Sequence, residues 1–162
     1  MTGNGFSLNT FLKGLTDHVP PGQARPLVLN ADELEQLPAS AIHNPSELAI
    51  AGRLPTFGFE IFHQVIPAGL SSDMQRHHHE TVHYVISGRG HSEVEDERVE
   101  WTTGACVYTP PWTWHRHYND DENAPVVFLT IEGSRLVAAL GLTRRQSAGL
   151  VTIAEARAAF GD

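Results

Sequence analysis

Histidine is the residue type in this sequence whose number and spacing point most directly to chemistry. The chain has ten histidines, and seven of them lie between His77 and His117. In an extended strand alternate side chains share a face, so His77 and His79 point together, as do His115 and His117. Neutral imidazole binds Fe, Zn, Cu and Ni, and ligands from two strands leave positions open on one side of the ion. The spacing therefore predicts a divalent metal site that can bind and activate a small molecule.

Short strands must position these histidines. Between residues 57 and 131, brief runs rich in β-branched and aromatic residues are broken by Gly, Pro and Asp. The predicted strands are Phe57–Ile66, Thr81–Ile86, His91–Glu95, Arg98–Thr102, Cys106–Thr109, His115–Tyr118 and Val126–Glu132. Several short strands at this spacing are typical of an all-β barrel or sandwich.

The sequence on either side of the predicted barrel has a different pattern. Residues 1–50 contain several prolines and predict an N-terminal arm with a helical turn at Ala31–Leu37. Residues 51–133 form the barrel, and residues 134–162 predict a tail of two short helices. The first helix covers Arg135–Leu140, and the second begins at Thr152–Glu155, which has capping-box spacing. No internal repeat is visible, which predicts one barrel and not a fused pair.

Composition limits the partners. A chain of 162 residues is long enough for one domain, and its formal net charge of -8 lacks the attraction to phosphate that nucleic-acid binding needs. Cys106 is the only cysteine, and neither a signal peptide nor an apolar span is visible, which predicts a cytoplasmic protein without a membrane partner. Exposed strand edges and the apolar residues of the arm predict a homodimer.

A spaced set of residues in the second half of the barrel resembles the cupin superfamily. Gly104, Pro110, Trp112, His115 and Asn119 occupy the positions of its second conserved box, with Trp112 at a Gly-like position as the one departure. The resemblance implies an all-β fold of the cupin type, a double-stranded β-helix or jelly-roll barrel. The N-terminal arm and the short C-terminal helices would be additions to it.

The first cupin box fits the histidine run in two registers. Counted from His77 and His79, the position of the family's carboxylate ligand falls at His83. Counted from the strand that follows, the box positions become Gln75, His77 and Thr81. Both registers make His77 a ligand position, and both lack the usual carboxylate.

We expect His77, His79 and His115 to bind the metal, because three imidazoles form a recognisable site and the amide of Gln75 is a weak ligand. The possible additional or substitute ligands are Gln75, His83 and His117.

Within the superfamily, the run Thr109–His117 resembles the gentisate dioxygenase group. Its members share a Thr-Pro-x-Trp-Thr-Trp-His-x-His run, carry an Arg between the metal histidines and lack the carboxylate ligand. The resemblance covers about residues 57–133 and implies a non-haem Fe(II) enzyme that opens an oxygenated aromatic ring with O2. The alternative metals are Zn, Ni, Mn and Cu. Members of that group are usually two-barrel chains of about twice this length.

A substrate pocket is expected beside the histidines. Aromatic side chains line such pockets for a planar ring, although barrel interiors are also filled with them, and an Arg fork can bind a carboxylate. The candidate pocket residues are Tyr84, Trp112, Trp114, Phe128, Gln64 and Arg53.

The leading functional hypothesis is a non-haem Fe(II) dioxygenase that acts on a small oxygen-chelating aromatic hydroxy acid or a β-diketone. One alternative is a metal-dependent lyase, isomerase or hydrolase of a small acid, which would use the same ligands without O2. Another is a non-catalytic cupin that binds a small molecule. Oxygen consumption with Fe(II) separates these hypotheses.

Overall fold

The computed structural model describes residues 25–37 and 44–161, which form two antiparallel sheets with short helices at the margins. The strands are β1 (Glu35–Leu37), β2 (Glu47–Ile50), β3 (Glu60–Ile66), β4 (Met74–His77), β5 (Thr81–Ser87), β6 (Arg89–Val94), β7 (Glu97–Thr102), β8 (Cys106–Thr109), β9 (His115–Asn119), β10 (Val126–Glu132) and β11 (Arg145–Gly149). A 3-10 turn covers Ala31–Glu33, and the helices are α1 (Ser134–Ala139) and α2 (Ile153–Phe160).

One sheet has six strands in the order β1-β2-β3-β10-β5-β8, and the other has five in the order β11-β4-β9-β6-β7. The strands of the first sheet alternate between a buried and an exposed face. On β5, for example, Thr81, His83 and Val85 are buried, whereas Val82 and Tyr84 are exposed. Their buried face contributes to an apolar core that reaches the other sheet, formed by Ile66, Val85, Trp101, Val107, Val126 and Phe128.

Strand β4 is buried on both faces because the end of the chain covers its outer side. Met74 and Trp114 pack against Ala156 of α2 in a second apolar cluster. The helix begins with the capping box that its sequence predicts, since the backbone N–H of Glu155 donates to the hydroxyl of Thr152 and the Glu155 carboxylate accepts from the backbone N–H of Thr152. One sheet face of β4 is therefore free to line the interior of the barrel.

The predicted all-β class is confirmed, and the predicted strands recur with shifts of a few residues at some ends. Two local predictions were incomplete, although the tail has the two short helices that were expected. The helical turn expected at Ala31–Leu37 is a 3-10 turn that ends at Glu33 and is followed by β1, which pairs with β2. The tail contains β11 between its two helices, and β11 pairs with β4.

Residues 35–50 of the predicted arm contribute β1 and β2 to the six-stranded sheet, while residues 1–24 and 38–43 lie outside the described part of the chain. None of the helices in the described ranges has the length and apolar character needed to cross a bilayer.

Candidate metal centre and its cavity

A small cavity of about 60 Å³ lies between the two sheets. That volume has room for about two water molecules at roughly 30 Å³ each. Its walls combine imidazoles, amides and charged groups with a few apolar side chains from β1, β2 and β3. The lining residues are Leu37, Asn44, Leu48, Phe62, Gln64, Gln75, His77, His83, His115, Thr130, Glu132 and Arg145.

His77 and His115 are presented to this cavity by neighbouring strands. Their rings contact each other edge to face, with centroids 4.8 Å apart and planes at 75°. The Nδ1 atom of His77 donates to the carbonyl of His79 at 2.8 Å, and Nδ1 of His115 donates to the carbonyl of Thr113 at 2.9 Å. A carbonyl can only accept, so each Nδ1 carries the ring proton and each Nε2 has a lone pair.

His83 reaches the cavity from β5, and a chain of hydrogen bonds fixes its tautomer. The hydroxyl of Thr130 donates to Oε1 of Gln64 at 3.5 Å, so it accepts the 2.9 Å bond from Nδ1 of His83. The amide of Gln64 in turn donates to Ser46 Oγ at 2.9 Å. Nε2 of His83 therefore has a lone pair, and within the described part of the chain it has no hydrogen-bond partner.

His117 lies beside His83 and has a different set of partners. Ser92 Oγ accepts from the indole Nε1 of Trp101 at 2.8 Å and lies 2.7 Å from Nδ1 of His117. Nε2 of His117 is buried and has no hydrogen-bond partner among the described groups. His117 contacts the ring of Phe128 in the core and does not line the cavity.

Burial keeps these histidines neutral. It lowers the pKa of His77 to about 4, with nearby His79 as the next cause, and the pKa of His83 to about 3, with His115 and His77 contributing. Burial also holds the pKa values of His115 and His117 well below the usual range. Neutral imidazole is the form that binds metal, so the protonation state at neutral pH suits a metal centre.

Glu132 brings a carboxylate to the cavity from β10, where its cross-strand partner on β5 is Thr81. Its Oε2 lies 3.1 Å from Nε2 of His79. Burial alone would raise the pKa of Glu132, but the close approach of His79, together with His77 and Arg145, outweighs burial and leaves this pKa below its ordinary value. The candidate ligand atoms of His77, His79 and Glu132 all lie within 4.8 Å of one another, the one such set of three in the described ranges.

His79 is placed differently from the other candidate ligands. Strand β4 ends at His77, and the chain bends through His78 and His79. The rings of His77 and His79 stack with centroids 3.9 Å apart and planes at 8°. Because the lone pairs of stacked rings lie in parallel planes, they do not converge on one ion. His79 lines a groove with Gly58, Phe59 and Pro111, and it is not among the residues that line the inner cavity.

The cupin domain family model matches residues 62–132, which include the strands that carry His77, His83, His115 and Glu132. The match to the cupin domain family covers 71 of the 162 residues, and these include the candidate metal ligands.

Curated relatives that match part of this chain are 1,2-dioxygenases by name. The chain is 36% identical over 67 residues to a 5-aminosalicylate 1,2-dioxygenase of Comamonas sp, covering 41% of this chain and 17% of the relative. It is 34% identical over 67 residues to gentisate 1,2 dioxygenase 1 of Aquipseudomonas alcaligenes, covering 41% of this chain and 19% of the relative. This chain thus spans about a fifth of the length of the relatives that it matches.

Solved structures share the fold at low sequence identity. A salicylate 1,2-dioxygenase from Pseudaminobacter salicylatoxidans superimposes with a TM-score of 0.57 at 15% identity, covering 64% of this chain and 30% of that chain. A cupin 2 conserved barrel domain protein from Rhodopseudomonas palustris gives a TM-score of 0.53 at 19% identity, covering 62% of this chain and 70% of that chain. The cupin fold expected from the sequence is confirmed by these likenesses.

The six residues expected in the substrate pocket are dispersed around the cupin domain. Gln64 lines the cavity, and Phe128 is fully buried in the apolar core. Tyr84 is on the exposed face of β5. Arg53 forms an ion pair with Glu33 at 3.0 Å, and this pair lies outside the barrel interior. Trp112 and Trp114 line a surface depression with Arg76, Glu95 and Arg157. The structure brings only Gln64, among these six, to the inner cavity.

Trp112 nevertheless has a structural connection to the candidate metal centre. Its φ of 57° lies in the left-handed region that favours glycine, as the Gly-like position of the cupin box suggests. Its backbone N–H donates to the carbonyl of His77 at 2.7 Å. The guanidinium groups of Arg76 and Arg144 lie 4.5 and 4.7 Å from the centre of its ring. Trp112 therefore helps to fix the end of β4 from outside the cavity.

Sequence reasoning did not identify Glu132 or Arg145 as candidate site residues. Glu132 could have been found, because it has the same strand parity as Phe128 and Thr130 on a strand that was predicted correctly. Arg145 lies in a segment that was expected to be helical or loop, and no pattern in Arg145–Gly149 predicts its pairing with β4.

Proposed function

We propose that this protein is a metal-dependent cupin, specifically a non-haem Fe(II) dioxygenase that acts on a small oxygen-chelating acid. The observation that carries the proposal is the common state of three cavity histidines. His77, His83 and His115 each use Nδ1 as a donor, which leaves a lone pair on each Nε2, and within the described part of the chain Nε2 of His83 and Nε2 of His115 are buried without a hydrogen-bond partner. Unpaired buried polar atoms are costly unless a ligand satisfies them, and an ion bound by these atoms would do so.

The proposed ligands are therefore His77, His83 and His115. This set keeps two of the three ligands expected from the sequence and replaces His79 by His83, which was a possible ligand. His79 and Glu132 would act together beside the ion, with His79 holding the carboxylate. A site made of His77, His79 and Glu132 is the competing arrangement, because those three residues are already close.

Fe(II) fits this donor set, because imidazoles suit Fe, as they do Zn, Ni and Cu, and a facial set of three leaves positions for a chelating substrate and O2. When bound, the iron would supply the redox chemistry of oxygen insertion. The protein's own residues would orient the ligands through their Nδ1 bonds and exclude bulk water. Three neutral ligands would leave the charge of the ion to be offset only in part by Glu132, and the remaining positive charge favours an anionic substrate.

The cavity of about 60 Å³ is smaller than an aromatic acid. We infer that it accommodates the chelating end of such a molecule and that the ring would lie against the apolar residues Leu37, Leu48 and Phe62. The same small volume favours the second candidate function, a metal-dependent lyase, isomerase or hydrolase of a small acid. That enzyme would use the same three ligands without O2.

Oxygen uptake separates the two candidates. Protein purified without oxygen and loaded with Fe(II) is expected to consume O2 with salicylate, gentisate or 5-aminosalicylate, and the Zn-loaded protein is expected not to. If the iron form consumes no O2 with these acids or with a β-diketone, yet transforms a small acid anaerobically, the dioxygenase proposal is wrong and the second candidate replaces it.

A further inference from the structure

Arg145 is the positively charged residue of the cavity wall, and it comes from outside the cupin domain match. It opens β11, where its cross-strand partner is His77, and cross-strand partners project to the same face of a sheet. Although the residue as a whole is exposed, its side chain reaches the cavity beside Gln75, His77 and His115. Residues 62–132, the range of the family model, do not include it.

The guanidinium of Arg145 is held in place without being neutralised. Its Nη2 donates to Oε1 of Gln75, which is a neutral amide. In the described part of the chain no carboxylate lies within 4.0 Å of it, in contrast to Arg53, Arg135 and Arg157. A guanidinium has five N–H donors in a planar fork, so one bond to Gln75 leaves donors for a ligand.

The charge of Arg145 is felt across the cavity. It is among the groups that lower the pKa of Glu132. It also acts to lower the pKa of the buried Asp73, although the larger effect of burial leaves that pKa raised. Its positive charge likewise disfavours the protonated forms of His77 and His115. The positive charge of Arg145 therefore favours an anionic ligand in the cavity. The apolar lining residues Leu37, Leu48 and Phe62 lie on β1, β2 and β3 of the six-stranded sheet, across the cavity from β11.

We propose that Arg145 binds the carboxylate of the substrate, held in position by Gln75, and that the substrate is therefore an acid and not a neutral β-diketone. Arginine matches a carboxylate with two parallel N–H bonds, which adds geometric specificity to the charge. The carboxylate or a neighbouring hydroxyl of the same molecule would then lie within reach of the histidine cluster. This inference rests on the proposed function, because it assumes a metal site in the same cavity.

A binding comparison without turnover tests the role of Arg145. Zn-loaded protein is titrated calorimetrically with salicylate and with salicylamide, its neutral counterpart. The parent is expected to bind the acid more tightly, and Arg145→Met to weaken salicylate binding by roughly 10- to 100-fold, the range of a charged hydrogen bond. Salicylamide affinity and zinc content are expected to stay unchanged. Arg145→Lys, which keeps the charge and loses the fork, is expected to give an intermediate affinity.

Arg144→Met is the matched control, since Arg144 is the adjacent residue and its guanidinium lies over Trp112. The inference is overturned if Arg145→Met binds salicylate as tightly as the parent does, or if its affinities for salicylate and salicylamide fall equally. It is also overturned if the parent binds the two ligands with equal affinity. The outcomes remain distinguishable from those of the proposed function. A failure of the iron form to consume O2 contradicts the dioxygenase and leaves the binding comparison intact.

Discussion

Gln75 lies directly opposite His115 across the β4–β9 pair, at a position where the cupin box in one register has a metal histidine. A histidine at this point would project into the same cavity as His77 and His115. We expect Gln75→His to raise zinc affinity roughly tenfold, because it replaces the neutral amide at this position with a further imidazole.

Competition with a chromogenic chelator measures this change. Gln146→His, on the neighbouring strand β11, is the matched control, because Gln146 bonds to Arg76 and is not part of the cavity wall. A Gln75→His variant that binds zinc no more tightly than the parent would show that position 75 does not face the ion.

Single alanine variants separate the competing ligand sets. His77→Ala and His115→Ala are expected to retain about a tenth or less of the bound metal. His83→Ala is expected to lose metal likewise, whereas His79→Ala and Gln75→Ala keep most of it. Metal analysis of protein purified anaerobically gives the answer, and circular dichroism checks the fold. If His79→Ala and Glu132→Gln lose metal while His83→Ala retains it, the ligands are instead His77, His79 and Glu132.

Acid is expected to destabilise the metal-free protein. Burial lowers the pKa of His77 to about 4 and that of His83 to about 3. In the unfolded chain both titrate near 6.5, so the unfolded state binds more protons between these values. The free energy of unfolding therefore has its full value above about pH 6.5 and falls as the pH drops toward 4. The depression of the His77 pKa alone corresponds to about 3 kcal/mol at most.

Urea unfolding near pH 7.5, pH 6 and pH 5 measures this dependence. His117→Gln is expected to weaken it, because His117 is also buried with a lowered pKa. The exposed His63 on β3 provides the control substitution, His63→Gln. A free energy of unfolding that is constant from pH 7.5 to pH 5 would contradict neutral burial of the cluster.

Leu48 limits the size of ligand that the cavity accepts. It lines the cavity from β2 and is only half-buried. Leu48→Ala should therefore enlarge the cavity and lower the free energy of unfolding by less than the roughly 2–5 kcal/mol that a fully buried Leu→Ala substitution costs. We expect the variant to bind larger aromatic acids several-fold more tightly than the parent. Leu70→Ala makes the same chemical change at a site 49% exposed and away from the cavity. Equal affinities in all three proteins would refute this assignment.

The outer face of the six-stranded sheet carries a patch of exposed apolar side chains, Val82, Tyr84, Ile86, Tyr108 and Ile131. We propose that this face mediates a homodimer, because contiguous exposed apolar surface usually marks an interface. Sedimentation at micromolar concentration should give a dimer mass for the parent and a monomer mass for Tyr84→Glu. Val99→Glu, on the other sheet and 38% exposed, should remain dimeric. A monomeric parent would contradict the proposal.

Strand parity predicted the inward-facing histidines of β4 and β9. It placed His77 and His115 correctly on the walls of one cavity, since β4 and β9 are regular there. It could not place His79, because the alternation stops where β4 ends at His77 and the chain bends. Local sequence does not specify such an end, which here coincides with the backbone bond from Trp112 to His77.

The substrate pocket was harder to predict for a related reason. Aromatic residues such as Trp114 and Phe128 are used in this protein to fill the two apolar clusters, and their residue type does not distinguish a core from a pocket. The side chains that line the cavity include Arg145 and Leu48, which come from strands far apart along the chain. Only the long-range pairing of β11 with β4 and of β2 with β3 brings them together.

The cavity is lined by two parts of the sequence, because β11 pairs with β4 and because β1 and β2 extend the six-stranded sheet. The imidazoles come from the stretch that the family model recognises, whereas Arg145, Leu37 and Leu48 come from flanking stretches that it does not cover. Under the proposed function, the metal ligands and the residues that select the substrate would come from separate parts of the sequence, so each set could diverge without altering the other. An alignment confined to the barrel consequently covers the proposed ligands of this chain but not Arg145, Leu37 or Leu48.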